Sequence, residues 1–93
     1  MRRGDVEGAL PPLAEAVRLK PHWADARVLL ADAMAAQGRL DLAILNYGEA
    51  VDSKPRDVSL RMHFGQALVK RGWHDEALNH YGVALRLDAG DKG

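Results

Sequence analysis

One block of this chain stands three times at a fixed spacing of 34 residues, and that period restricts the fold more than any other feature. Gly4 to Pro21 reads GDVEGALPPLAEAVRLKP, Gly38 to Pro55 reads GRLDLAILNYGEAVDSKP, and Gly72 to Ala89 reads GWHDEALNHYGVALRLDA. The copies agree on a glycine (Gly4, Gly38, Gly72), an acid (Glu7, Asp41, Asp75), a small residue (Ala9, Ala43, Ala77), a large apolar one (Leu13, Tyr47, Tyr81) and a second alanine (Ala16, Ala50, Ala84). A period of this length marks a repeat array, whose units bury their apolar faces by stacking on one another.

Within each block the apolar residues fall at three- and four-residue steps, which predicts an amphipathic helix. In the first block these are Val6, Ala9, Leu10, Leu13, Ala16, Val17 and Leu19. Pro11 and Pro12 interrupt it, and proline deep in a helix costs ~3 kcal/mol, so this helix is expected to start near Pro11 or to bend there. Between the blocks, His22 to Gln37 and Arg56 to Arg71 predict helices of a second kind, with Leu30 matching Phe64, Ala31 matching Gly65 and Met34 matching Leu68. Gly38 and Gly72 follow these helices, where a left-handed closing residue is cheapest as glycine. Asp57 is the expected N-cap of the later one. Pro21 and Pro55 stop the blocks they end. No window alternates apolar and polar residues as a half-buried strand requires. The expected fold is therefore all-α: an α-solenoid of antiparallel helix hairpins, with five helices in about two and a half repeats. Residues 1–21 form a half repeat, 22–55 and 56–89 full repeats, and 90–93 an end expected to fray.

Thirteen basic and thirteen acidic side chains cancel. The balance gives no electrostatic reason to expect a nucleic-acid backbone or anionic membrane as main partner. No cysteine is present, so disulfides and thiolate chemistry are excluded. No apolar run reaches the ~20 residues of a membrane span, and no apolar core follows Arg2 and Arg3 as in a signal peptide, so a cytoplasmic location is expected. Neither a serine with a histidine and acid around it nor a phosphate-binding glycine loop is evident, and no enzyme, cofactor or metal is expected. His74 and His80 are six apart on different helix faces; Glu76 and His80, four apart, are expected to form a surface ion pair.

The residues resemble the tetratricopeptide repeat, whose 34-residue pattern is W-x2-L-G-x2-Y, then A-x3-F, then P. The second repeat matches with Leu30, Ala31, Met34, Ala43, Tyr47 and Pro55, and the third with Phe64, Gly65, Leu68, Ala77 and Tyr81, with Ala89 in place of the proline. Arg27 and Arg61 stand where the pattern has tryptophan. The resemblance implies that the first helix of each repeat lines a concave groove for a partner peptide or helix. By that rule the groove holds Asp25, Val28, Leu29 and Asp32 from one helix and Ser59, Met62, His63, Gln66 and Lys70 from the next. Repeats of chaperone co-factors grip a terminal carboxylate with lysine and asparagine, and Val28, Asp32, Met62 and Gln66 offer no such clamp. The asparagine ladder of the sugar-transferase repeats is replaced here by Leu29 and His63.

The implied function is a protein-interaction scaffold or adaptor. The half repeat leaves an unfinished face at each end, since arrays usually need about three repeats with polar caps. Those faces imply homo-oligomerisation through Leu10, Leu13, Val17, Tyr81 and Leu85, or membership of a longer array.

Overall fold

The computed structural model describes residues 12–89. Helix α1 covers 12–19 within this range, followed by α2 (Ala24–Ala36), α3 (Leu40–Ser53), α4 (Val58–Arg71) and α5 (His74–Asp88). The start of the first helix near Pro11, and the end at 90–93, lie outside the described residues. The elements form antiparallel hairpins, α2 with α3 and α4 with α5, and α4 stacks on α3 to join the two.

The turns carry the period as closely as the helices do. Gly38 and Gly72 have φ of 79° and 93°, and a Cβ at either would touch nothing, so the backbone dihedral alone demands glycine. Around each, two hydrogen bonds close the helix in the Schellman manner. Gly38 N–H donates to Ala35 O at 3.0 Å and Arg39 N–H to Met34 O at 2.9 Å; Gly72 N–H donates to Val69 O at 3.0 Å and Trp73 N–H to Leu68 O at 2.8 Å. The chain then needs only Gln37 to Arg39, or Gly72 and Trp73, to reverse direction. Asp57 caps α4 as expected, its Oδ1 accepting from Leu60 N–H at 3.0 Å.

Small residues let the helix backbones approach. Ala31, Ala43, Ala50, Ala77 and Ala84 are essentially inaccessible, and Leu30, Tyr47, Leu60, Phe64 and Leu68 fill the space beside them. At Gly65 the approach is tighter still, since a Cβ there would lie 2.7 Å from the Tyr81 ring. The matching pair one repeat earlier is Ala31 and Tyr47, where the tyrosine hydroxyl instead donates to Asp32. Replacing Ala43 or Ala77 with leucine is expected to destabilise the chain by roughly 1 to 3 kcal/mol through overpacking. Thermal melts of the two variants check this register; an unchanged midpoint in both would refute it.

The two arginines at the tryptophan position tie each hairpin. Arg27 Nε donates to Pro21 O at 2.8 Å and Nη1 to Asn46 Oδ1 at 3.0 Å. Arg61 repeats the geometry, with Nε to Pro55 O at 2.9 Å and Nη1 against His80 Nδ1 at 3.0 Å. Each guanidinium thus fastens the proline turn six residues before it and the second helix nineteen residues after it. A planar fork of donors performs by hydrogen bonding what the large ring of the usual residue does by packing. Asn46, a buried polar side chain, is completed by donating from Nδ2 to Leu42 O at 3.0 Å.

Candidate groove between the repeats

Asp25, Val28 and Leu29 of α2 face Asp57, Ser59, Leu60 and His63 at the start of α4 across an open cleft of about 220 Å3. Five of the expected groove residues, Asp25, Val28, Leu29, Ser59 and His63, thus line a single cleft. The apolar helix faces that stack the two repeats also set this spacing, since α2 and α4 both pack on α3. Leu29 is 55% exposed, while Val28 packs partly against the core. Met62, Gln66 and Lys70 are exposed on α4 but do not line this cleft. Leu60 and Asp57 line it although the pattern marks one as core and the other as a cap; a residue at a helix start can serve the turn and the groove at once.

Two of the expected groove acids have partners within the chain. Asp25 accepts from Lys54 Nζ at 3.0 Å, and this contact holds the lysine above its ordinary pKa. Both side chains are exposed, so the pair contributes little to stability. Asp32 accepts from the Tyr47 hydroxyl, whose pKa is driven up by burial and then by this carboxylate. Its Oδ1 also lies 3.6 Å from His63 Nδ1, a buried ring atom with no hydrogen bond of its own. Asp32 therefore ties α2 to α3 through Tyr47 and lies beside His63 of α4. Its place in the sequence pattern suggested only a groove-facing charge, because the tyrosine partner lies fifteen residues away on another helix.

The expected Glu76–His80 ion pair is not formed among the described residues. His80 turns inward, its ring centroid 4.4 Å from that of Phe64 and its Nδ1 on the Arg61 guanidinium. Arginine has no acceptor, so Nδ1 accepts and the proton of the neutral ring sits on Nε2. Burial first, and the Arg61 charge second, lower the His80 pKa from the ordinary 6.5, with Glu76 opposing. The folded chain therefore disfavours the charged ring. Stability from this contact is complete above pH ~6.5 and is lost as the pH falls below that value towards the lowered one. Asn46 holds the same place one repeat earlier and does not titrate. His80→Asn is expected to reduce the loss of melting temperature between pH 7 and pH 5 relative to the parent chain, as read by circular dichroism. An identical pH profile in the variant would show that His80 is not the titrating group.

Of the residues expected at the ends, Leu10 lies outside the described residues. Leu13 and Val17 are half-buried on α1, and Tyr81 is half-buried against Gly65. Leu85 is open, at 68% exposure. No helix among the described residues is long and apolar enough to cross a membrane.

Helix hairpins of this length, stacked at this period, define a helical-repeat protein. Models of the tetratricopeptide repeat match residues 1–45 and 37–92, the latter covering more than half of the chain, and the chain belongs to the tetratricopeptide repeat family. Repeats of this family generally mediate protein–protein interaction and scaffolding. Among solved structures, MamA 41-end from Desulfovibrio magneticus RS-1 is similar with a TM-score of 0.89 and 27% identity, over 96% of this chain and 50% of that one. MamA AMB-1 is similar with a TM-score of 0.86 and 28% identity, over 94% and 52%. MamA MSR-1 gives 0.85 and 27%, over 91% and 49%. The chain thus spans about half the length of these structures. No curated protein sequence matches it.

Proposed function

We propose that this chain is a protein-interaction module without chemistry of its own, which receives a segment of a partner protein in the groove between α2 and α4. The observation that carries this reading is the shared cleft of Asp25, Val28 and Leu29 with Ser59 and His63, which joins the first helices of successive repeats. Leu29 presents an exposed apolar side chain to that cleft. Asp25 is paired with Lys54, so Asp57 is the carboxylate that adds negative charge to the cleft lining, and the groove suits a peptide that sets a basic residue next to an apolar one. Membership of an interaction-repeat family, and likeness to MamA, support the same class of activity.

Leu29 is the cleanest residue to change, because Asp32 supports Tyr47 and Asp25 holds Lys54. Peptides selected from a displayed library against the chain are expected to lose about tenfold or more in affinity on Leu29→Asp. Selected peptides that bound the variant as tightly as the parent would place the site elsewhere.

A further inference from the structure

We infer that the cleft between α3 and α5 is a second docking surface, fitted to one amphipathic helix of a partner protein whose contact face is apolar along one half and carries arginine or lysine along the other. The inference rests on the protein-interaction reading but not on the groove: it uses the second helices of the repeats and shares no lining residue with the first cleft. Leu45, Gly48, Glu49 and Asp52 of α3 line one side, His80 of α5 the other, and Phe64 of α4 lies between them, around a space of about 350 Å3. Three consecutive helices inside the array thus build the whole cleft.

The chemistry of the cleft runs along one stripe of α3. Leu42, Leu45, Glu49 and Asp52 follow at steps of three, four and three, so they share a helix face roughly 15 Å long. Leu42 is 47% and Leu45 60% exposed. One half of the stripe is apolar and the other anionic. Gly48 keeps the cleft deep beside it. An added Cβ would meet only Phe64 Cζ, at an ordinary 3.8 Å, so packing permits alanine there and the bare backbone leaves room over the ring.

The internal period shows that the repeat does not require these charges. At the places of Leu45, Glu49 and Asp52 the third block has Asn79, Val83 and Arg86, and at the last two places the first block has Glu15 and Arg18. There Arg18 Nε donates to Glu15 Oε2 at 3.0 Å, so that pair neutralises itself. Glu49 and Asp52 form no ion pair among the described residues, and no lysine or arginine lines the cleft. The helix end adds to the imbalance. Asp52 stands in the last turn of α3, where the macrodipole is negative and no basic residue answers it, whereas α4 ends with Lys70 and Arg71 and α5 with Arg86. Lys54, at the C-cap, is held by Asp25. An arginine or lysine brought by the partner supplies the missing charge, and two carboxylates one turn apart turn away a polyanion.

Two fluorescein-labelled, alanine-based helical peptides are the probes: one has leucine at its first two contact positions and arginine at its last two, spaced by three, four and three residues, and the other has the order reversed. Titrated into the full chain by fluorescence anisotropy, one of them is expected to saturate and to bind less tightly as salt is raised. Leu45→Asn, Glu49→Val and Asp52→Arg together give α3 the residues that α5 carries at these places, so this variant keeps the parent circular-dichroism melt. It is expected to weaken the peptide by about tenfold or more. Glutamate in place of the peptide's arginines weakens it likewise. Gly48→Ala is expected to leave the melt unchanged or raised, and to weaken binding by filling the space over Phe64. Leu29→Asp leaves the affinity for these helices unchanged, and the triple variant still binds groove peptides, so failure of the groove and failure of this cleft are separable. No saturation by either helix at millimolar concentration would overturn the inference, as would an affinity indifferent to the triple variant or to the peptide's charge. Light scattering that showed a dimer dissolved by the triple variant would overturn it too, by making the occupant a second copy.

Discussion

Phe64→Ala is expected to destabilise the chain by about 3 to 5 kcal/mol, the largest loss for any single side chain here. Phe64 is the ring at which three helices meet: it belongs to α4, lies 6.1 Å from Tyr47 of α3 and 4.4 Å from His80 of α5, and rests in the recess at Gly48. Truncation leaves a cavity that the rigid alanine contacts around it cannot close. The loss is of the same order as the total stability of a small domain, about 5 to 15 kcal/mol. It also has a direction. In a stacked array, stability is the sum of what each repeat holds and what neighbouring repeats add at their interface. Phe64 lies at that interface, so its removal is expected to broaden urea unfolding and lower its slope, while amides of α4 and α5 exchange faster than those of α2 and α3. A variant that unfolded as sharply as the parent at an unchanged midpoint would show that the ring does not couple the repeats.

Leu68→Ala is expected to cost about 2 to 5 kcal/mol. Leu68 is fully enclosed, and its carbonyl receives the Trp73 N–H that closes α4 at Gly72. The matching residue one repeat earlier, Met34, is only half-buried, so Met34→Ala provides an internal control with a smaller expected loss. Leu68→Met, close to constant in volume, is expected to cost less than about 1.5 kcal/mol. Chemical denaturation of the three variants gives the order. A Leu68→Ala cost no larger than that of Met34→Ala would contradict the burial difference between the repeats.

Much of this architecture was legible because the signals are local. Glycine after α2 and α4 is required by a positive φ, which only glycine adopts cheaply, and the proline and Asp57 boundaries follow from backbone rules of the same kind. The alanine positions were legible through repetition, since the same small residue recurring every 34 residues marks a close backbone approach. The groove was readable as a helix face, though only its Asp25, Val28, Leu29, Ser59 and His63 converge on one cleft.

Partners across helices were not legible. Glu76 and His80 are four apart on one helix, which in isolation favours a pair, yet α4 brings Arg61 and Phe64 to the other side of the ring. Packing against that ring decides its orientation, because an exposed ion pair gains only tenths of a kcal/mol. Arg27 and Arg61 looked like departures from a pattern until their carbonyl and side-chain acceptors were in place.

By itself the sequence determined what depends on the order of residues along the chain: the period, the all-helical class, the hairpin turns and the small residues between helices. Those properties arise from dihedral preference and from periodicity, and both act within a few residues. The tertiary structure alone decided which charges are already engaged, with Asp32 on Tyr47 and Asp41 on Arg71, and which apolar faces remain open. Val51 and Leu85 hold the same place in the repeat, and only the helix stacked on one and absent from the other among the described residues makes the first core and the second surface. Burial is a property of what lies opposite a residue.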